Sequence, residues 1–292
     1  MNKPKLISKF YAGGKPGNPE SSINVDDLAI ERENANNLKK KWLSGSNLSL
    51  GQIVYDNLSD GWTPEQISAV MGNSHLETGG WNQLKQIKGP ARGLFMMEPA
   101  ARKEYGRWLL QNNLQDTQDN EVNYIQHLMD NKLLSTPWSN LDKALPYINK
   151  QRLRKGLSTF ATVEELQDYI NSIPDVETAQ KQGLRCHWQH RGYTTEQAYD
   201  DWENGDVEAK TRAFGALYEK PGIPHWDRRY GAAQAILHNL QLFNPNHIVK
   251  VNPLGLEQPN IEFKPKMKYF GLAPTSSPKP ENKQLIKRRN RK

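Results

Sequence analysis

Apolar positions are sparse at the two ends of this chain and dense between them. Up to about residue 45, Asn, Gly, Pro and Lys dominate, which predicts an extended arm carrying one short helix near Val25 to Trp42. Helical patterning starts near Leu50 and persists to about Leu242. From Pro245 onward Asn, Pro and Lys return, and the stretch "LAPTSSPKPENKQ" has the composition of a disordered linker. The expected organisation is an N-terminal arm over 1–45, a helical domain over 46–244, and a Pro-rich, basic tail over 245–292.

Within the dense region the period is that of helices. Thr63, Pro64 and Gln66 supply an N-cap, a proline at the first helical position and a capping-box glutamine. Ile67, Val70, Met71 and Leu76 follow as an apolar stripe, and Gly79-Gly80 ends it. Pro99 opens a second helix with Tyr105, Trp108 and Leu109 on one face. Val122, Ile125, Leu128 and Met129 mark a third, and Thr162 with Glu165 boxes the start of a fourth that carries Leu166, Tyr169 and Ile170. Val207, Phe214 and Leu217 mark a fifth; Tyr230, Ala233, Ile236, Leu237 and Leu240 a sixth. Trp81 to Met97 lacks a helical period and has room for a small hairpin. The fold class is therefore mainly α, with at most a minor sheet and extended or disordered termini.

Charge changes the picture only at one end. The formal net charge is +7, but Lys264 to Lys292 holds ten Lys or Arg against the single acid Glu281, and the rest of the chain has 29 basic and 31 acidic side chains. The tail 264–292 is thus a candidate electrostatic contact for an anionic surface or partner, while no nucleic-acid reading motif accompanies it. A single cysteine, Cys186, excludes an intramolecular disulfide framework. No apolar run approaches the ~18 residues of a membrane span, and the first twenty residues do not form a signal peptide.

The candidate chemistry centres on Glu77. It falls in the last turn of the helix that begins at Pro64, where unpaired carbonyls disfavour a negative charge. Leu76, Trp81 and Phe95 are near enough in sequence to take water away from it. Both influences favour the protonated acid that a general acid catalyst needs. Glycosidic cleavage requires that proton, because the leaving oxygen must be protonated as the sugar ring develops oxocarbenium character.

The stretches "AVMGNSHLETGGW" and "GPARGLFMMEPAARKEYGRWL" resemble the lysozyme-superfamily pattern of phage tail lysozymes and related lytic enzymes. In that pattern a helix reading Gly-Asn and then Glu-[Ser/Thr]-Gly is followed by Gly-Leu-Phe-Gln and an Arg-bearing helix. "FGALYEKPGIPHWDRRYGAAQAIL" resembles the closing segment of phage tail lysozymes. The resemblance covers roughly residues 50–130 and 195–240. It implies a lysozyme-like helical domain, Glu77 as catalytic acid, and Gly93, Leu94 and Phe95 in the loop wall facing the sugar. Met96, the fourth candidate substrate-binding residue of that wall, stands where the family has glutamine. Residues from about 135 to 195 are longer than the pattern and form an insertion.

The resemblance implies bacterial peptidoglycan as substrate, with cleavage of the β-1,4 bond between N-acetylmuramic acid and N-acetylglucosamine, by hydrolysis or by lytic transglycosylation. It implies no metal and no organic cofactor, and a place in the virion or, before lysis, in the host cytoplasm; for the tail 264–292 it implies the cell wall or outer envelope as contact of a free lysin, or packaged DNA and acidic virion proteins as contacts of a particle component. The alternative is a virion structural or DNA-ejection protein that keeps the fold with little or no activity.

Other residues read more simply. Glu98 directly precedes Pro99 and suits a helix start. Glu219, in "YEKPG", suits a turn. Cys186, His187 and His190 lack a full zinc ligand set. Trp62, Trp81, Trp138, Trp188, Trp202 and Trp226 suit core positions as well as sugar faces, and Arg228 with Arg229 suits pairing with helix acids.

Overall fold

One helix organises the molecule. In the computed structural model, which describes residues 25–87, 89–220 and 224–243, the segment Pro64–Glu77 (α3) is buried on nearly every side, from Ile67 through Ser74. Its start is the expected capping box: Gln66 N–H donates to Thr63 Oγ1 at 3.3 Å and Thr63 N–H donates to Gln66 Oε1 at 2.9 Å. A helix this apolar has to be wrapped by others.

The wrapping comes from both ends of the chain. Val25–Trp42 (α1) and Leu48–Leu58 (α2) precede α3, and Pro99–Gln111 (α4) and Gln118–Asp130 (α5) follow it. Then come Leu141–Arg154 (α6), Val163–Ser172 (α7), Val176–Gln182 (α8) and Arg185–Gln189 (α9). Thr195–Asn204 (α10) and Val207–Phe214 (α11) return to the main core. The π-helical turn Gly215–Glu219 continues α11, and Trp226–Leu237 (α12) closes the order. Helices α2, α11 and α12 pack directly on α3, and α1 lies on α12. The α3–α12 approach is close: a Cβ at Gly72 would fall 2.8 Å from the Ala233 Cβ.

Among the described residues there are twelve α-helices and no strand. Trp81 to Met97 holds only two isolated antiparallel bridges, Lys85 with Arg92 and Arg92 with Met97. The mainly helical expectation is met, and all six patterned helices are present, with α1 spanning the expected residues. The pattern missed α2, α6, α8, α9 and α10. Pro146 lies inside α6, α8 and α9 are short, and α10 carries a Thr194/Gln197 capping box that was present in the sequence. The extended arm before residue 25 and the basic tail lie outside the described residues.

Residues 141–184 build a core of their own from Leu141, Ile148, Phe160, Leu166, Ile170, Ile173, Ala179 and Leu184. Arg152 is buried there with its guanidinium 4.3 Å from the Phe160 ring centroid and Nε donating to Ser158 O at 2.6 Å. Asn149 clasps the backbone of Phe160 in both directions, at 2.8 and 2.9 Å. The segment is tied back through Thr136, whose hydroxyl donates to Tyr193 O at 2.8 Å.

Candidate active site

Glu77 is the last residue of α3, and its side chain is 28% exposed. It lines a cleft of about 480 Å³ together with Gln83, Gln86, Ile87, Ala91, Met96 and Glu98, a size within the ~300–1,000 Å³ of small-molecule sites. The surroundings differ from the apolar setting expected from sequence. Arg229 of α12, with a side chain only 2% exposed, donates from Nη2 to Glu77 Oε1 as a salt bridge. Its Nη1 donates to Asn73 Oδ1 at 2.5 Å and its Nε to Pro224 O at 2.7 Å.

Asn73 is itself fixed, because its amide donates to Ala69 O at 2.9 Å and to Thr211 O at 3.1 Å. That leaves Oδ1 facing the guanidinium. A buried charge is tolerated when it is paired and hydrogen-bonded, and Arg229 is both.

The wall of the cleft is hung on α3 and α5. Ser74 donates from Oγ to Leu94 O at 2.7 Å, and Trp81 Nε1 donates to Ser74 Oγ at 3.2 Å. From α5, Glu121 accepts the Phe95 N–H at 3.1 Å. Gly93 permits this approach: its φ is +90°, and a Cβ there would fall 2.2 Å from Glu121 Oε1. Burial pushes the Glu121 carboxyl up to about 7, opposed by the Phe95 and Leu94 amides.

Of the four wall residues, Leu94 and Phe95 are buried and face the core, where Phe95 meets Phe214 and Tyr218. Gly93 lies over Glu121. Met96, at φ +43°, is the one that lines the cleft beside Glu77. Glu98 shares the cleft and sits at the N-terminus of α4 without a side-chain cap bond.

Glu219 ends the π-helical turn and is half-buried, with its Oε1 shut off from solvent. Burial drives its carboxyl well above the carboxylate range, Glu77 adds to the rise, and Arg229 opposes it. Among the described residues, neither its Oε1 nor the hydroxyl of the neighbouring Tyr218 has a hydrogen-bond partner.

A second, smaller concavity, about 220 Å³, lies around the end of α3 and is lined by Ser46, His75, Gly80 and Arg228 among others. His75 Nε2 bonds Ser46 Oγ at 2.8 Å. Burial, and then Arg228, lower its pKa to about 4.

No group of three or more His, Cys, Asp or Glu among the described residues is placed to hold a metal ion. Cys186 instead donates to Lys220 O at 3.3 Å, and burial pushes its thiol up to about 11. Trp62, Trp81 and Trp202 belong to the main core, and Trp138 and Trp188 pack on the second one. No described helix is long and apolar enough to cross a membrane.

The family model of phage tail lysozymes matches residues 52–240, a span that contains Glu77, the cleft wall, Glu121, Glu219 and Arg229. The chain belongs to the phage tail lysozyme family. Membership points to peptidoglycan as substrate and to a virion-associated, peptidoglycan-cleaving role. No curated protein and no solved structure matches the chain. Within this family member, sequence reasoning singled out Glu77 and the wall and missed Glu121 and the burial of Glu219. It read Arg229 as a partner for a helix acid; that acid is Glu77.

Proposed function

We propose that this phage tail lysozyme cleaves the β-1,4 bond between N-acetylmuramic acid and N-acetylglucosamine in peptidoglycan glycan strands, with Glu77 as general acid and then general base. The observation that carries this reading is the position of Glu77: Oε1 is fixed from behind by a buried guanidinium, while the residue lines an open cleft. Fixed orientation is what a proton donor needs to meet the glycosidic oxygen in the transition state. After bond cleavage the resulting carboxylate takes a proton from the attacking hydroxyl, that of water in hydrolysis or the muramyl C6 hydroxyl in transglycosylation. Met96, Gln83 and Gln86 line the walls against which the sugar rings lie. Residues 46–244 form the lysozyme-like unit in this reading, and the basic tail holds the enzyme to an anionic surface.

The alternative, a virion structural or ejection protein with the fold but little activity, draws on Met96, an apolar side chain in the cleft where the family pattern has glutamine. Digestion of purified sacculi decides between them. The wild type releases glycan fragments, and mass analysis of their ends distinguishes 1,6-anhydro from reducing termini. Glu77→Gln releases none while keeping its circular dichroism and melting behaviour. A folded wild type that leaves sacculi intact supports the structural reading.

A further inference from the structure

The end of α3 separates two concavities. One is the cleft that Glu77 lines; the other, about 220 Å³, is lined by Ser44, Ser46, His75, Asn82 and Arg228 among others. Three pairs of sequence neighbours divide between them. Leu76 and Asn82 line the smaller concavity where Glu77 and Gln83 line the cleft, and Arg228 lines the smaller one while Arg229 holds Glu77 from behind. Successive Cα atoms lie about 3.8 Å apart, so the two concavities abut.

The smaller one is braced. Three hydrogen bonds clasp the segment between α1 and α2 to the end of α3 and the turn that follows it. Asn47 N–H donates to Gly80 O at 2.8 Å, Asn82 Nδ2 donates to Gly45 O at 3.0 Å, and His75 Nε2 bonds Ser46 Oγ at 2.8 Å. Gly80, at φ +81°, lets these segments meet, since a Cβ there would fall 3.2 Å from Ser46 Oγ. The His75 ring meets the Trp81 ring edge-on, with centroids 4.8 Å apart.

Its charge has one sign. No carboxylate belongs to the described residues that line it. Arg228 is exposed and makes no ion pair among the described residues; its neighbour Asp227 does not line the site. His75 is neutral near pH 7, so the positive charge is that of Arg228.

An unpaired guanidinium in a site below the ~300 Å³ of whole-ligand pockets suits the carboxylate end of a small group, which it binds through paired N–H donors. Peptidoglycan presents such a group beside the bond that is cut. The lactyl ether of N-acetylmuramic acid carries a peptide stem with free carboxylates, and each stem residue adds about 3.3–3.6 Å of reach. We propose that the concavity at Ser46, His75 and Arg228 binds a carboxylate of the peptide stem whose muramic acid lies in the Glu77 cleft, so that the protein selects peptide-bearing strands over bare glycan. This assignment rests on the glycan strand lying in that cleft, but not on its being cut.

The probe is muramyl dipeptide, a muramic acid bearing two amino acids and a free carboxylate, beside the same compound with that carboxylate amidated. Each is titrated into the isotope-labelled full chain. The acid shifts the His75 ring and Arg228 side-chain resonances and binds about tenfold more tightly than the amide; in Arg228→Gln, its fold checked by circular dichroism, the two bind within about twofold of each other. Equal binding of acid and amide by the wild type, a difference that survives in the variant, or unmoved His75 and Arg228 resonances each overturn the proposal. Acetate at the same ionic strength binds more weakly than the dipeptide. Acetate that binds as tightly marks a site for free carboxylates and overturns the stem assignment.

Cleavage supplies a second measurement. The rate on peptide-bearing strands divided by the rate on strands stripped of their stems by an amidase falls about tenfold in Arg228→Gln. An unchanged ratio overturns the selection. If the wild type cuts neither substrate, the enzymatic reading fails, and the titration still decides whether the site holds a stem carboxylate.

Discussion

The guanidinium of Arg229, almost wholly buried, lies against Glu77, a residue 152 positions earlier in the chain. Arg229 also satisfies Asn73 Oδ1 and Pro224 O, so one side chain joins α3, α12 and the segment that leads into α12. Arg229→Met strands these acceptors, and the expected loss is about 3 kcal/mol of folding stability. Arg229→Lys recovers only part of it, because an ammonium cannot reproduce the planar fork. Urea denaturation measures both, and a loss below about 1 kcal/mol for the methionine variant would show that the cluster contributes little.

Glu121 makes stability depend on pH. Its carboxyl rises from an ordinary 4.5 to about 7 in the folded protein, so the folded state binds the proton more tightly than the unfolded chain. Its contribution is fully present below 4.5 and is lost as pH rises through 7, by up to about 3 kcal/mol. His75, lowered from 6.5 to about 4, acts oppositely: its contribution is present above 6.5 and is lost as pH falls towards 4. Glu121→Gln isolates the first effect. The melting temperature of the variant gains on that of the wild type as pH rises from 4.5 to 7, and a constant gap across that window contradicts the assignment.

Met96→Gln is expected to leave sacculus cleavage equal or higher, since it places a polar side chain in the cleft beside Glu77 with little change in volume. The comparison is initial rate on the same sacculi. A large loss with folding intact means that the cleft is fitted around the methionine.

Removing residues 264–292 takes away ten basic side chains and one acid. Cleavage of small soluble glycan fragments should be unaffected, because Glu77 and the cleft precede the deletion. Binding to whole sacculi or to DNA weakens at low salt, and the difference shrinks as salt screens the charges. Equal binding by the truncated and full chains at low salt would refute the tether.

Much of the site was written in the helical periodicity, as polar residues on apolar stripes. Arg229 precedes Ala233 and Ile236 by four and seven positions, Glu121 precedes Ile125 and Leu128 in the same way, and Asn73 and Glu77 continue the face of Val70. Each spacing places a charged or amide side chain inside the protein, where it needs a partner. Which partner was not legible, because Arg229 meets Glu77 and Glu121 meets Phe95 only when segments distant in sequence pack. The second core was hidden for a related reason. Pro146 lies within α6, and α8 and α9 are too short to show a period, so those helices are held by packing more than by local sequence.

The separation between Glu77 and Arg229 also governs when this corner of the cleft is complete. Closing a loop of that length is among the slow steps of folding, since its entropy is spent before the contact rewards it. A chain emerging from a ribosome, or one whose α12 has peeled away, holds Glu77 on a formed helix with nothing behind it. The ordered Glu77 carboxyl therefore arrives with the docking of α12, and any unfolding that begins at that helix releases it while most of the molecule is still native.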